Sequence, residues 1–166
     1  ELIESWKEKF GLNDPLSIQY LKYMGNVITF DHGFSLARFP TKAWDIVKRA
    51  LPWSVGLLLV SSIISFIIGN TIGALMGWKK TPKWLQSILP FSLTFTAIPY
   101  FMFGILLIYL VSFQLHWLPS SGGYSRAVDP GWNMPFIGSV IKHSILPILS
   151  IVMTSSGGWA LGMRGL

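Results

Sequence analysis

The distribution of apolar and charged positions divides the chain into one polar stretch followed by three apolar ones. Residues 1–49 mix charged and apolar side chains, whereas residues 50–78, 84–125 and 143–163 contain no Asp, Glu, Lys or Arg. About 20 apolar residues of helix cross the hydrocarbon core of a bilayer, so each charge-free stretch is long enough for one span. The pattern predicts an all-α, polytopic membrane protein with three transmembrane helices, at about 51–78, 86–113 and 143–164.

The polar stretch, residues 1–49, carries its own helix signals. Asp14 before Pro15 is typical of a helix start, and the apolar spacing that follows predicts a short amphipathic helix over about 15–26. Pro40 marks the start of a second short helix, which ends before the first span. We therefore expect an N-terminal segment with short helices, followed by a membrane core over residues 50–166.

Small side chains recur every four residues within the first span. They are Ser61, Ser65, Gly69, Gly73 and Gly77. Such a stripe allows a second helix backbone to approach closely, which is how helices associate in lipid. The alternative is that glycine is simply common in membrane helices, but five positions in register favour a helix-packing face.

The second and third spans combine interior prolines with hydroxyl side chains. Pro90, Pro99 and Pro147 remove helix hydrogen bonds, and a membrane helix tolerates this where protein or water satisfies the freed groups. The residues expected to line a translocation path are Thr96, Pro99, Tyr100, Thr154 and Ser155. An equally weighted alternative is that the Ser and Thr hydroxyls bond back to their own helices.

Lysine and arginine in short connections indicate the cytoplasmic side of a membrane. The residues assigned to that side are Lys79, Lys80, Lys83 and Arg164. Lys48 and Arg49 flank the opposite end of the first span, so the density of the three lysines decides the orientation. This places residues 1–49 and a Pro-, Gly- and Ser-rich loop at about 117–142 outside the cytoplasm.

Composition excludes several classes of protein. The chain has 166 residues, of which 51% are hydrophobic and 12% charged, whereas a soluble domain is about one-quarter charged. The absence of Cys excludes thiol chemistry and Cys-ligated metals, and there is no Gly-Lys dipeptide for a P-loop. The net charge of +6 forms no basic stripe, so nucleic acid is not an expected partner. We expect no catalytic, cofactor-binding or metal-ligating residues, and because the charge-free stretches hold no acidic residue for a coupling ion, any transport would need energy from elsewhere.

Several segments, taken in order, resemble one family. They are residues 11–20 (GLNDPLSIQY), 30–35 (FDHGFS), 49–52 (RALP), 98–101 (IPYF), 118–122 (LPSSG) and 145–147 (ILP), followed by Arg164. Together they are similar to the permease subunits of bacterial binding-protein-dependent ABC importers, in the dipeptide, oligopeptide and nickel branch. The chain departs from that pattern at Phe30 and His32, and near residues 161–162, where the family usually has a further arginine.

The resemblance implies a multi-pass protein of a bacterial or archaeal cell membrane that transports peptides, or a related solute such as an oligosaccharide or nickel. It also implies that the chain is a fragment, with one transmembrane helix before residues 1–49 and the coupling loop to the ATPase after residue 166. The implied partners are the lipid bilayer, a sister permease subunit, a separate ATP-binding subunit and an extracytoplasmic solute-binding protein. Two alternatives stay open: a membrane enzyme, or a non-transporting assembly subunit, with the functional residues elsewhere.

Overall fold

A computed structural model describes residues Glu4, Ser5, Lys7, 11–35, 37–78, 81–82 and 86–165, and of residue 89 the backbone alone. These residues form helices and no strand, and one isolated bridge joins Phe34 to Lys42. The helices are α1 (Leu16–Ile28), α2 (Ala43–Gly77), α3 (Ile88–Thr96), α4 (Tyr100–Leu107), a π-helix (Ile108–Gln114) and α5 (Met134–Arg164). The predicted all-α fold is confirmed for this part of the chain.

Two helices have the length and composition of membrane spans. They are α2, with 35 residues, and α5, with 31. The pair Pro90–Thr96 and Tyr100–Gln114 passes the same test together, although it is bent by 99°. The described residues therefore contain two candidate spans, or three if the bent pair is one broken span, which agrees with the predicted number.

Helix α1 lies where the sequence predicts a short amphipathic helix. The carbonyl of Pro15 accepts hydrogen bonds from the backbone N–H groups of Ile18 (2.9 Å) and Gln19 (3.0 Å), which sets the first turn. Lys22 Nζ lies 2.6 Å from Asp14 Oδ2 and ties the helix to the residues before it. No residue of α1 is buried, as expected for a short helix in a polar segment.

The N-terminal unit, Glu1–Pro52, contains a cluster of rings around Trp44. The imidazole of His32 stacks on the indole of Trp44 with 5.7 Å between centroids and 9° between planes, and the ring of Phe30 lies 5.7 Å away. Lys48 Nζ lies 5.7 Å from the same indole, within the range of a cation–π contact. These contacts hold the start of α2 to the turn that follows α1.

Helix α2 corrects the expectation of a separate short helix before the first span. One helix runs over Ala43–Gly77 with Pro52 in its interior. Proline has a φ that suits a helix and removes one backbone hydrogen bond, so it does not have to end the helix. The change from charged to apolar residues alters the surroundings of the helix, but its backbone geometry continues.

The second span is broken, which corrects the expectation of one kinked helix over about 86–113. Helix α3 ends at Thr96 and α4 begins at Tyr100. Pro99 between them has φ −56° and ψ 130°, outside the helical region. Proline lacks an N–H and disfavours the helical conformation in the residue before it, here Ile98, so the helix hydrogen bonds stop and restart.

Helix α5 begins earlier than predicted, which shortens the preceding loop. It starts at Met134 rather than at residue 143, because Asn133 Oδ1 accepts a hydrogen bond from the backbone N–H of Phe136 at 2.8 Å. Pro135 lies in the first turn, where its missing N–H costs nothing. The predicted loop at 117–142 is therefore corrected to one that ends at Asn133.

Burial in the unit Trp53–Leu166 is the reverse of that in a water-soluble domain. Ser61 and Ser65 on α2 are fully buried, whereas Leu59 and Ile63 on the same helix are 58% and 57% exposed. Where lipid is the solvent, apolar side chains gain nothing from leaving the surface, and small residues pack at helix contacts. This pattern agrees with a helix bundle that lies in a membrane.

Candidate functional site

Helix α5 is the element against which the other membrane helices pack. Both α3 and α4 contact it on either side of the break at Pro99. Helix α2 also contacts α5. The ring of Phe66 on α2 packs edge to face on the ring of Trp159 on α5, with 5.2 Å between the ring centroids. The geometry of the site therefore depends on how closely each helix approaches α5.

The closest approach of α2 to α5 occurs at two members of the predicted small-residue stripe. A Cβ atom placed on Gly69 would lie 2.5 Å from Trp159 Cβ and 2.6 Å from the carbonyl oxygen of Ser156. A Cβ on Gly73 would overlap the carbonyl oxygen of Ala160. These distances are shorter than any ordinary contact, so the crossing requires glycine at these two positions.

The other members of the stripe differ from one another. Ser61 and Ser65 are fully buried on α2, and the hydroxyl of Ser61 donates a hydrogen bond to the Leu57 carbonyl at 2.7 Å. Gly77 is exposed, and a Cβ atom placed on it would have no neighbour within 4 Å among the described residues. The structure therefore brings four of the five residues into buried positions and leaves Gly77 outside the contact.

A second close crossing, which the sequence did not single out, joins α5 to α3. A Cβ atom on Gly157 would lie 2.9 Å from the carbonyl oxygen of Ser92 and 2.9 Å from Thr96 Cγ2. Its neighbour Gly158 has open space around it. A signal was present, because Ser150, Gly157 and Ala160 are small residues at spacings near the helical repeat, and all three are buried.

A cavity of about 290 Å³ lies beside the break in the second span. Its walls come from the start of α4, the loop at 119–122 and the middle of α5. The described polar residues of the lining are Tyr100, Ser120, Ser121, His143 and Ser150. Apolar side chains such as Leu146 and Ile108 complete the walls. The cavity thus offers a few hydrogen-bonding groups on a mainly apolar surface, which is typical of a site for a small organic ligand.

The five residues predicted to line a path occupy different surroundings. Tyr100 lines the cavity, and Pro99 makes the break next to it. The hydroxyls of Thr96 and Thr154 donate to the carbonyls of Leu93 (2.7 Å) and Ser150 (2.9 Å) in their own helices, which is the alternative weighed for such residues. Ser155 is half-buried.

Ser150, Gly104 and His143 are cavity residues that the sequence reasoning missed. Ser150 is 3% exposed, and its hydroxyl donates to the Pro147 carbonyl at 2.9 Å. A Cβ atom on Gly104 would lie 3.5 Å from Ser150 Oγ, so α4 and α5 meet here at ordinary contact distance. The available signal was the spacing of three between Pro147 and Ser150, which places both on one face of α5.

Two buried hydroxyls in the described part of the chain have no hydrogen-bond partner. They belong to Ser65 on α2 and Ser112 on the π-helix. A buried hydroxyl without a partner loses its hydration without compensation, which is unfavourable by about 1–3 kcal/mol. Among the described residues, these are the two buried side-chain hydroxyls whose hydrogen bonds are unsatisfied.

Of the four basic residues assigned to the cytoplasmic side, the structure describes only Arg164. Lys79, Lys80 and Lys83 lie outside the described residues. Arg164 is exposed in the last turn of α5, where a positive charge is favourable next to the free carbonyl groups of the helix end.

The described residues contain no cluster of three His, Asp or Glu side chains that could hold a metal ion.

The break in the second span lies beside a cavity, which is where a membrane helix tolerates interrupted backbone hydrogen bonds. The comparison with known families identifies the class of protein. The chain belongs to the family described as binding-protein-dependent transport system inner membrane component, whose model matches residues 69–165. That match covers the second half of α2, the broken span and α5.

Curated relatives carry names from peptide transport. The chain is 34% identical over 160 residues to the oligopeptide transport system permease protein AppB of Bacillus subtilis, covering 93% of this chain and 48% of that protein. It is 28% identical over 165 residues to the oligopeptide transport system permease protein OppB of Haemophilus influenzae, covering 99% of this chain and 50% of that protein. The chain thus spans about half the length of the curated relatives it matches.

Proposed function

We propose that this chain is part of the transmembrane permease subunit of an ABC importer and forms part of the translocation path for peptides. The observation that carries the proposal is the family match over residues 69–165, because that region contains the broken span and most of the residues that line the cavity. The cavity is the proposed part of the path.

The break in the second span supports this role physically. The break interrupts the regular helix hydrogen bonds, and local contacts such as those of the Thr96 hydroxyl to the Leu93 carbonyl and of the Ile98 N–H to the Phe95 carbonyl replace only some of them. Backbone groups without a helix partner are tolerated in a membrane where protein or a water-filled cavity satisfies them. Tyr100 and Gly104, which follow the break, line the cavity. The broken helix therefore belongs beside a polar route across the membrane.

The proposed orientation places residues 1–49 and the loop before α5 outside the cytoplasm. Support comes from the three lysines between the first and second spans, since short cytoplasmic connections are rich in Lys and Arg. In this arrangement a solute-binding protein delivers the solute to the outer segments, and a separate ATP-binding subunit supplies energy from the cytoplasmic side. A sister permease subunit would complete the path.

Peptides are the proposed solute because the relatives AppB and OppB are named as oligopeptide permeases. An oligosaccharide or nickel remains the alternative solute from the sequence resemblance. A few hydroxyl and imidazole groups on apolar walls suit a peptide, which has both polar backbone groups and apolar side chains.

The test is ATP-dependent uptake by the full-length protein, assembled with its sister permease, ATPase and binding protein in proteoliposomes. The Gly104→Leu variant would place a side chain in the cavity and is expected to lower peptide uptake strongly while the complex still assembles. Gly56→Leu is the matched control, because no described residue lies within 4 Å of a Cβ atom placed at Gly56.

Two results would count against the proposal. A wild-type complex that takes up no peptide when ATP and binding protein are present would contradict peptide import. Equal uptake by the Gly104→Leu and Gly56→Leu variants would show that the cavity is not on the path.

A further inference from the structure

A second cavity, of about 540 Å³, adjoins the first at the end of the unit where α5 begins. We call it the basic cleft. Its described polar lining residues are His116, Ser125, Ser139, Lys142 and His143. Pro119 and His143 line both the basic cleft and the cavity beside the broken span. The two spaces therefore meet at His143.

The basic cleft carries positive charge without a compensating acid. Lys142 contributes an ammonium group, and no carboxylate is among the described residues that line the cleft. Asp129 is the only acidic residue after Asp45 in the sequence, and the described ion pairs do not include one made by Lys142. A negatively charged group would therefore find an unpaired cation here.

Both imidazoles contact a backbone carbonyl through the same ring nitrogen, Nδ1. His143 Nδ1 lies 2.7 Å from the carbonyl oxygen of Ser139, and His116 Nδ1 lies 3.3 Å from that of Gln114. A carbonyl oxygen only accepts hydrogen bonds, so each Nδ1 carries the proton. Each Nε2 then has a free lone pair, which can accept a hydrogen bond from an N–H group of a ligand.

His116 also has a positive φ, which is unusual for a residue other than glycine. Its φ is +57°, in the left-handed region that side chains other than glycine rarely occupy. Such conformations are kept where the surrounding structure needs the side chain in a particular place. His116 is one of the residues that line the cleft.

From these features we infer that the basic cleft receives the carboxylate end of the transported solute, and that the adjoining cavity receives the apolar side chain next to it. The inference rests on the proposed function and narrows its substrate class to peptides with a free C-terminal carboxylate and an apolar last residue. The cation of Lys142 is the group that contacts the carboxylate, and the imidazoles of His116 and His143 line the cleft beside it. The hydroxyl of Ser139, which already accepts from the Ser125 N–H at 2.8 Å, retains its own proton to donate.

The test compares a peptide with a free C-terminal carboxylate and the same peptide with a C-terminal amide, in proteoliposomes that contain the full complex. The wild type is expected to show a lower KM for the free acid. Lys142→Gln is expected to raise the KM for the free acid about threefold to tenfold and to leave the KM for the amide unchanged. Only the free acid carries the negative charge that Lys142 attracts. Any preference of the binding protein is common to all variants and cancels in the comparison.

Two further variants serve as controls. Lys142→Arg keeps the charge and is expected to retain the preference for the acid. Arg126→Gln removes the same charge from an exposed residue that is not among the described lining of the cleft, and it is expected to behave as wild type.

The outcomes separate the inference from the function on which it rests. If the wild type takes up neither peptide, peptide import and the carboxylate site are both overturned. If it takes up both with equal KM, or if Lys142→Gln and Arg126→Gln change the preference equally, the carboxylate site alone is overturned.

Discussion

Replacing Gly69 by alanine adds one methyl group where α2 crosses α5. The new Cβ atom would lie 2.5 Å from Trp159 Cβ and 2.6 Å from the carbonyl oxygen of Ser156. Carbon atoms in contact prefer about 3.5–4.0 Å, so the two helices would have to separate by about 1 Å. Neither neighbouring atom can rotate away, because one is a backbone oxygen and the other is attached directly to the backbone.

The expected loss of stability follows from two opposing effects. Overpacking a close contact destabilises by about 1–3 kcal/mol. Alanine in place of glycine within a helix stabilises by up to about 1 kcal/mol, because glycine loses more backbone freedom on folding. The matched control is Gly56→Ala, because Gly56 also lies inside α2 and no described residue lies within 4 Å of a Cβ atom placed there. The difference between the two variants then isolates the contact, at about 1–3 kcal/mol.

The assay is equilibrium unfolding of the full-length protein in mixed micelles of mild detergent and dodecyl sulfate, followed by tryptophan fluorescence. Gly69→Ala is expected to unfold at lower dodecyl sulfate than Gly56→Ala. The larger change Gly73→Leu is expected to lower the yield of assembled complex as well. Unfolding free energies of the two alanine variants that agree within about 0.5 kcal/mol would refute a close crossing at Gly69.

Other predictions use paired substitutions and the same unfolding assay unless stated otherwise. Gly157→Ala should destabilise by about 1–3 kcal/mol and Gly158→Ala should not, because only Gly157 faces the α3 backbone at close range; equal effects would contradict that crossing. Ser65→Ala should be neutral or stabilising, since its buried hydroxyl has no partner among the described residues. Ser61→Ala should instead destabilise by about 0.5–1.5 kcal/mol, because it removes a hydrogen bond. A larger loss of stability in Ser65→Ala than in Ser61→Ala would show that Ser65 has a partner. Asn133→Ala should cost about 1 kcal/mol and speed amide hydrogen exchange in the first turn of α5, while Asn133→Asp keeps the cap; unchanged exchange in the alanine variant would show that the cap does not hold this turn.

The sequence predicts the all-α membrane fold and the family because both depend on local properties of the chain. Whether a stretch can cross lipid depends on its own length and hydropathy, and three charge-free stretches are visible without any knowledge of contacts. The short segments that resemble importer permeases are likewise read residue by residue. The helix start at Asn133 was also a local signal, but the lack of charge after Lys142 drew the predicted start to residue 143.

The candidate site depended on distances between residues far apart in the chain. Gly69, Gly73 and Gly77 follow the same four-residue period, yet an added Cβ atom would meet the backbone of α5 at the first two and no described residue at the third. Nothing in a periodic pattern tells where a neighbouring helix crosses and where it diverges. For the same reason, the sequence does not show that Gly157 meets the backbone of α3 whereas Gly158 meets no described residue.

The sequence by itself determined which stretches can lie in the membrane, that the chain is helical and to which family it belongs, because apolar length and local motifs are properties of the chain alone. The tertiary structure decided that the second span breaks at Pro99 with a bend of 99°. It also decided that Tyr100 and Ser150 share a cavity while the hydroxyls of Thr96 and Thr154 bond to their own helices. These features depend on the angle and depth at which helices pack against α5, and packing joins residues that the linear sequence keeps apart.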